Sequence, residues 1–507
     1  MSSPDFNAVF PPGTIKLEER QGLVSEFKLS PTPSSDPDDP LNWSPFRKAV
    51  NFGLTCSYVL FTFVLASGSN FAGLAIGCLL FIPCVHKFGR RPIYLLSAIV
   101  QLACAIWWAN FHKAGELIGV SLLAGLAGSI SEAVVMITIV DLFFVHQHAR
   151  MNGIFLFMQS LASTGGPIAA GYIIESMGWR WMWWMICIFL AVNLTLVLLF
   201  FEESKYIPLV VGHSESTDNN QEGAPKYDVD QKTGEPRTLR VTTRSTADTR
   251  RRRKSIRQRL AFVTRTDIPV AQHFYQPLLI LFSFPAVTYT AITYGTILAW
   301  FSANASSGSY FLLDEPYQFS PSAIGLFHLG GFLGTFIATL IVPALNDRLI
   351  VRAAKQNGGI FEPEMRLWMS IPGALLNCAG LLIYGIGLGK GLHWALLAVG
   401  QGIYGFGFIT TADVALTYLT DCYPDILGDA LIAIVFIRNG FAMVVRFAFT
   451  PWITGMGIEN TFILISMLAL VTVTLPILLM VYGKRARAST AEKYRKYAAR
   501  QPVHRQK

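Results

Sequence analysis

Charged residues are scarce in this 507-residue chain. Asp, Glu, Lys and Arg together make up 14% of it, whereas 52% of its residues are hydrophobic. A soluble chain of this length would form several domains, and about 25% of its residues would be charged. The deficit argues against a set of soluble domains and favours a protein that lies mostly in lipid.

The chain also lacks the motifs of disulfide, metal and nucleotide chemistry. Its seven cysteines lie in or beside apolar stretches without metal-ligand spacing, and His146 and His148 have no ligand partners near them in the sequence. We interpret the cysteines as small, reduced, hydrophobic residues. The chain has no Gly-x-x-x-x-Gly-Lys-Ser/Thr loop, which argues against ATP-driven transport. No convincing catalytic set is present, so we predict neither an enzyme nor a cofactor or metal.

What the chain does contain is twelve apolar stretches. Roughly 20 residues of helix cross a hydrocarbon core of about 30 Å, and backbone groups in lipid must bond within the helix. The stretches form two sets of six around a polar insert, the layout of a transporter with two related halves. The predicted spans are 49–67, 71–86, 93–111, 117–143, 153–175, 180–201, 277–303, 322–345, 368–388, 393–418, 429–454 and 460–482.

Basic residues predict the orientation of these spans. The +9 net charge lies in loops on one side and not on a soluble domain, so we do not expect nucleic acid as a partner. By the positive-inside rule that side and both termini are cytosolic. The predicted regions are a disordered cytosolic tail (1–48), an N-terminal six-helix bundle (49–201), a cytosolic linker (202–276), a C-terminal six-helix bundle (277–482) and a basic cytosolic tail (483–507).

An internal repeat indicates where the machinery lies. When Asp141 of span 4 is superposed on Asp421 of span 10, Glu132 falls within one position of Asp413. A charge at mid-bilayer costs roughly 2.5–3.5 kcal/mol on insertion scales, so two charges at matching places indicate use. We expect Glu132 and Asp413 to face one central cavity. Asp141 and Asp421 lie near the predicted cytosolic ends of their spans. They could take part in gating, or they could form structural ion pairs with the basic loops.

Span 11 carries Arg438, which could pair with a carboxylate such as Asp413 or Asp421 in one conformation. A pair that breaks and re-forms could couple protonation to a conformational switch, and a static pair between spans 10 and 11 is the alternative. Tyr58, Tyr289 and Tyr294 lie in the first spans of the two halves. They could offer ring faces to an organic cation or simply pack in the core.

A glycosylation sequon begins at Asn304. The triplet Asn304-Ala305-Ser306 is predicted to lie in the outer loop between spans 7 and 8. Such a position would permit attachment of a glycan, although triplets of this kind also occur by chance.

Two short motifs resemble those of the major facilitator superfamily. Gly89-Arg90-Arg91 matches the end of the Gly-x-x-x-Asp-x-x-Gly-Arg-Arg/Lys signature, but Ile82 and His86 replace its first Gly and its Asp. In span 5, Gly166-Pro167 and the small residues around it fit the spacing of the proton-antiporter signature. The resemblance implies an all-α major-facilitator fold, with gating roles for these motif residues.

Longer runs resemble the fungal 12-span drug:H⁺ antiporter group and its histidinol-permease-like branch. They are Asp36–Ser44, Gly178–Trp181, Asn357–Leu367 and Arg438-Asn439. The resemblance implies movement of polyamines or other organic cations, and we expect a monomer in the plasma membrane. One departure is the connection between spans 1 and 2, only Ser67 to Asn70, which is shorter than in the family by roughly 25 residues.

Two functional hypotheses follow. The first is a proton-coupled secondary transporter of a small cationic organic solute, such as a drug or polyamine, that works by alternating access within the bilayer. Its partners would be the solute and protons, which Glu132 and Asp413 would bind. The second is a non-transporting paralogue or nutrient sensor, impaired by the short span 1–2 region.

Overall fold

The computed structural model describes residues 11–16, 39–63, 68–143, 145–204, 272–472 and 474–498. Helices account for most of these residues, as expected of a chain whose backbone must bond internally in lipid. The sheet in this part of the chain has two short strands, β1 (Ile15–Lys16) and β2 (Ile360–Phe361), which pair antiparallel.

The N-terminal half consists of seven helices within the described residues, because the fourth predicted span is divided in two. The helices are α1 (Pro45–Phe63), α2 (Gly68–Phe88), α3 (Arg91–Asn110), α4 (Ala114–Gly128), α5 (Ile130–Leu142), α6 (Val145–Met177) and α7 (Trp179–Phe200).

The C-terminal half has eight described helices. They are α8 (Gln272–Ser283), α9 (Pro285–Phe311), α10 (Pro321–Phe327), α11 (Leu329–Gln356), α12 (Ser370–Gly389), α13 (Trp394–Cys422), α14 (Leu427–Val471) and α15 (Thr474–Ala498). Short 3₁₀ turns lie at Pro40–Asn42, Pro363–Met369 and Pro424–Ile426.

Fewer helices qualify as single membrane spans than the twelve apolar stretches suggest. By length and composition, six stretches of the described residues could cross a membrane. There are seven if most of α8 (Phe274–Ser283) and most of α9 (Pro285–Gly308) count as one bent span. One stretch, 424–498, contains more than one helix, because α14 turns at Gly457, where φ is +79°. That turn separates the eleventh predicted span from the twelfth.

Span 7 is not the single straight helix predicted at 277–303. Helices α8 and α9 meet at an angle of 98°. Pro285 begins α9, and Phe284 before it is extended (φ −119°, ψ 109°), as expected because a proline ring disfavours helical backbone at the preceding residue. Span 4, predicted as 117–143, is likewise divided, at Ser129 between α4 and α5.

The two halves pack most extensively along two helix pairs. Near the predicted outer side, α6 packs on α10 so closely that a Cβ on Gly171 would lie 2.4 Å from the carbonyl oxygen of Pro321. Helix α2 packs on α14, where Cys78 forms a buried apolar cluster with Ile432 and Val435. Small side chains allow helix backbones to approach this closely in lipid.

The predicted domain limits differ from the observed packing in three places. Residues 11–16 and 39–48 of the predicted disordered tail are packed against the bundles. Helix α8 begins at Gln272, inside the predicted linker, and α15 continues to Ala498, well into the predicted basic tail. Most of the predicted linker, 205–271, lies outside the described residues.

Candidate functional site

Glu132 and Arg438 form a buried ion pair between the two halves. Nη2 of Arg438 on α14 lies 2.5 Å from Oε2 of Glu132 on α5, and the two side chains are 6% and 3% exposed. Asn439 Nδ2 donates a hydrogen bond of 2.8 Å to the same carboxylate oxygen. Two adjacent residues of span 11 therefore hold the mid-span acid of span 4.

The guanidinium of Arg438 also faces an aromatic ring. Its central carbon lies 4.9 Å from the ring centroid of Tyr294 on α9. Nε of Arg438 and Oδ1 of Asn439 are buried and have no hydrogen-bond partner among the described residues. The site thus has a spare donor and a spare acceptor at the boundary between the halves.

In this structure Arg438 is paired with neither of the two carboxylates named as candidates from the sequence. Asp421 is paired with Arg366, and Arg438 is paired with Glu132 of the opposite half. Asp413 is half-buried on α13 and makes no ion pair within the described part of the chain. The charged groups that act on it, Arg366 and Asp347, belong to its own half, and its position in one cavity with Glu132 stays a prediction.

The three candidate tyrosines occupy different environments. Tyr58 is 1% exposed, bonds Ser97 through its hydroxyl and packs edge-on against Tyr94, all within the N-terminal half. Tyr289 is 4% exposed, and its hydroxyl lies 3.4 Å from that of Ser370 in the C-terminal core. Tyr294 contacts a cation, the guanidinium of Arg438.

In the N-terminal half, the Gly-Arg-Arg motif is held by two carboxylates. Arg90 Nε lies 2.8 Å from Oδ2 of Asp141, and the Arg90 side chain is 2% exposed. Glu203 accepts hydrogen bonds from the backbone N–H groups of Arg90 (3.0 Å) and Arg91 (3.1 Å). It caps α3, where the helix dipole favours an anion. Gly89, at φ +103°, leaves room for this carboxylate.

The matching region of the C-terminal half pairs Arg366 with Asp421. The carboxylate accepts from Arg366 Nε, and Asp347 lies 3.8 Å from Arg366 Nη1. Beside this cluster, Arg487 makes a bidentate pair with Glu364, at 2.8 and 2.7 Å. Sequence reasoning missed Glu203, Glu364 and Arg487, although Glu364 lies in a run that carries the family resemblance.

The proline motif of span 5 lies at the contact between the halves. A Cβ on Gly325 of α10 would lie 2.7 Å from the carbonyl oxygen of Pro167. Gly166 precedes that proline on α6 and is partly buried. Helix α10 therefore packs directly against the small residues of this motif.

Asn304 is not in an outer loop as predicted. It lies inside α9, is 2% exposed, and its Oδ1 accepts from Nε2 of Gln401 at 3.2 Å. The helix extends to Phe311, eight residues beyond the predicted end of span 7. A glycan cannot be attached to a buried helical side chain, so the triplet is a chance match.

Comparison with known proteins decides the family. The model of the Major Facilitator Superfamily matches residues 41–445. The chain belongs to this superfamily. It is 28% identical to the uncharacterized MFS-type transporter C1271.10c of Schizosaccharomyces pombe, over 95% of this chain and 94% of that one. It is 26% identical to Protein HOL1 of Saccharomyces cerevisiae, over 95% and 96%.

Solved structures confirm the major-facilitator fold. The crystal structure of the human organic anion transporter MFSD10 (TETRAN) matches with a TM-score of 0.55 at 15% identity, covering 86% of this chain and 100% of that one. The predicted resemblance to fungal members of the superfamily is confirmed by the relatives. The protein is therefore a multi-pass membrane protein of a secondary-transporter family and not an enzyme.

Proposed function

We propose that this superfamily member couples proton movement to transport of a small organic cation, with Glu132 as the proton-binding group. The observation that carries the proposal is the buried Glu132–Arg438 pair, which joins the two halves. Transporter sites lie where the halves meet near the midplane, and ionisable groups at that depth in lipid are retained for function.

The chemistry of the pair couples charge to separation of the halves. Breaking a buried pair leaves two uncompensated charges, which costs about 3–5 kcal/mol. Protonation of Glu132 removes one of those charges, and an incoming cation could replace the guanidinium beside the carboxylate. The ring of Tyr294, which now faces Arg438, would then be a suitable surface for the solute.

The direct test is uptake by proteoliposomes with radiolabelled spermidine as the probe. We expect uptake to depend on an imposed pH gradient. Glu132→Gln keeps the shape and the acceptor for Asn439 but cannot lose a proton, so it should lose gradient-dependent uptake. Glu175→Gln is the matched control, because Glu175 is exposed on α6.

A second readout separates coupling from binding. Glu132→Gln should still exchange labelled for unlabelled spermidine across the bilayer without a gradient. Gradient-dependent uptake that is equal in the wild type and in Glu132→Gln would remove Glu132 from the mechanism.

We further propose that the protein lies in the plasma membrane as a monomer, with both termini in the cytosol. The arginine and lysine distribution supports this orientation. A tag at either end should resist protease added to intact spheroplasts and be cut after lysis. Cleavage of a tag in intact spheroplasts would reverse the orientation.

The alternative of a non-transporting sensor has one observation in its favour. The sequence leaves only Ser67 to Asn70 between predicted spans 1 and 2, and residues 64–67 lie outside the described part of the structure. A transcript read across codons 60–80 would show whether further residues are encoded there. If the short connection is genuine and neither spermidine nor tetraethylammonium is taken up, the sensor interpretation gains the advantage.

A further inference from the structure

Residues 11–16 of the N-terminal tail are packed against the C-terminal half. Ile15 and Lys16 pair antiparallel with Phe361 and Ile360, the residues of β2. Thr14 is 7% exposed, and its N–H donates to the carbonyl of Pro11 at 3.3 Å, which closes a turn. A segment that precedes the first bundle in sequence is therefore part of the second bundle in space.

Arg487 connects this segment to the rest of the half. Its side chain is 1% exposed. Nε and Nη2 donate to the two carboxylate oxygens of Glu364, and Nη1 donates to the carbonyl of Pro12 and to Oγ1 of Thr14, the latter at 3.3 Å. A guanidinium presents its donors in a fixed fork, so the carboxylate fixes the direction in which Nη1 points.

The charge of Arg487 is secure in this position. Burial acts to lower the pKa of the guanidinium, but the hydrogen bonds and charge of Glu364 outweigh it and raise the pKa above its ordinary value. Without residues 11–16, Nη1 would lose the two acceptors that the segment supplies.

The shape of the surface selects glycine at position 13. Gly13 has φ +84°, and a Cβ there would lie 2.4 Å from the carbonyl oxygen of Asp421 and 3.2 Å from the Cα of Cys422. Both contacts are with backbone, which cannot turn aside as a flexible side chain would. A side chain at this position would therefore have to lift the segment off the surface.

We propose that this surface is a peptide-docking notch, formed by β2, Glu364, Asp421 and Arg487, and that residues 11–16 are its resident ligand. The chemistry it recognises is a short extended peptide, with a glycine over the Asp421 carbonyl and a hydroxyl next to it for Arg487. The docked peptide holds the stretch from β2 to Arg366, and so supports the Arg366–Asp421 pair. The proposal does not depend on the transported solute.

The first test uses the full chain and the trypsin site after Lys16. When opening is fast, cleavage follows the fraction of time a segment spends undocked. Gly13→Val should be cut between Lys16 and Leu17 about tenfold faster than the wild type, which corresponds to about 1.4 kcal/mol of lost docking. Gly53→Val is the control, because a Cβ on Gly53 meets nothing within 4 Å.

The second test asks whether the notch binds peptide in trans. A fluorescent peptide with the sequence of residues 11–16 should bind the purified Gly13→Val chain saturably, and bind the wild type more weakly because its own segment competes. The same peptide with valine in place of glycine should bind neither. In the unmodified chain, an excess of unlabelled peptide should speed the cut after Lys16.

Two results would overturn the proposal. One is equal cleavage of wild type and Gly13→Val, with no effect of added peptide on the unmodified chain. The other is binding of the glycine and valine peptides with the same affinity, which would show that the surface does not read the segment. The experiment on the unmodified chain keeps the test valid even if Gly13→Val folds poorly.

Discussion

The two halves build the same kind of ion cluster at the predicted cytosolic side, but they complete it with opposite charges. In both, an arginine from the loop after the second helix of the repeat pairs with an aspartate at the end of the fourth: Arg90 with Asp141, and Arg366 with Asp421. In the N-terminal half a carboxylate, Glu203, completes the cluster by accepting from backbone N–H groups. In the C-terminal half a guanidinium, Arg487, completes it by donating to the carboxylate of Glu364 and to the backbone carbonyl of Pro12.

This difference accounts for the docking of residues 11–16 on the C-terminal half. The carboxylate of Glu203 accepts hydrogen bonds from backbone N–H groups at the start of α3, which lies in the same bundle. Arg487 is buried on α15, and its Nη1, which is not used by Glu364, donates to Pro12 and Thr14 of residues 11–16. The aspartate–arginine pair is thus common to both halves. The charged residue just beyond the sixth predicted span of each half, Glu203 or Arg487, determines what else the cluster binds.

Removal of an arginine from either cluster should have the largest effect, and the N-terminal pair should suffer more. Arg90→Met removes the buried cation that pairs with Asp141 and should cost about 3–5 kcal/mol, since Arg90 is 2% exposed. Arg366→Met should cost less, because Arg366 is 11% exposed and its partner Asp421 is 22% exposed. Thermal unfolding of the purified proteins in detergent measures the order.

The control for this comparison is Arg180→Met. Arg180 is exposed, and within the described residues it contacts only the ring of Trp179. The melting temperature of Arg180→Met should therefore stay near that of the wild type. If Arg366→Met melts below Arg90→Met, burial does not set the strength of these pairs.

The contrast between halves also marks what the sequence could predict. Glu132 was located by its depth in span 4 and by its counterpart in the repeat, and Asp141 and Asp421 by their place at helix ends. The partner of Arg438 was not predictable in this way. Superposing the internal repeats shows which positions correspond in the two halves, but not which residues touch across their boundary. Arg438 pairs with Glu132 of the opposite half, and that contact depends on how α5 and α14 pack.

Local signals were also too weak to predict the tail and the helix breaks. Residues 11–16 have no long apolar pattern that would indicate packing. Their docking depends on contacts with β2 and Arg487, which lie far away in the sequence. Span 7 was predicted as one helix because its hydropathy is continuous. The break lies at Phe284-Pro285, where the proline rule gives a reason for a bend but not its angle of 98°.

Glycine substitutions in the matching loops of the two halves should have the next largest effects on stability. Gly89 and Gly359 lie in matching loops and both have positive φ, +103° and +78°. A Cβ on Gly89 would lie 2.4 Å from Oε2 of Glu203, whereas one on Gly359 meets nothing within 4 Å. Gly89→Ala should cost about 1–2 kcal/mol of backbone strain plus part of the cap, and Gly359→Ala the strain alone. Equal melting temperatures for the two variants would contradict this.

Glu203→Gln tests the cap itself and should have a smaller effect. Glutamine can still accept one backbone hydrogen bond but loses the charge that favours the start of α3. We expect a loss of about 0.5–2 kcal/mol in the free energy of unfolding. The counterpart Glu362→Gln should change less, because Glu362 makes no side-chain cap bond to the turn that follows it. Hydrogen exchange of the Arg90 and Arg91 amides should rise in Glu203→Gln and stay unchanged in Glu362→Gln.

Lys484→Met should have the smallest effect, although Lys484 pairs with Glu362 only three residues from Arg487. The Lys484 side chain is 54% exposed, so water and salt screen its charge. Exposed pairs contribute about 0–1 kcal/mol, and we expect the lower part of that range here. Arg487→Met on the same helix should melt well below it, because Arg487 is 1% exposed and its loss leaves Glu364 without a cation. Comparable melting temperatures for these two variants would show that α15 is held by its net charge and not by the buried fork of Arg487.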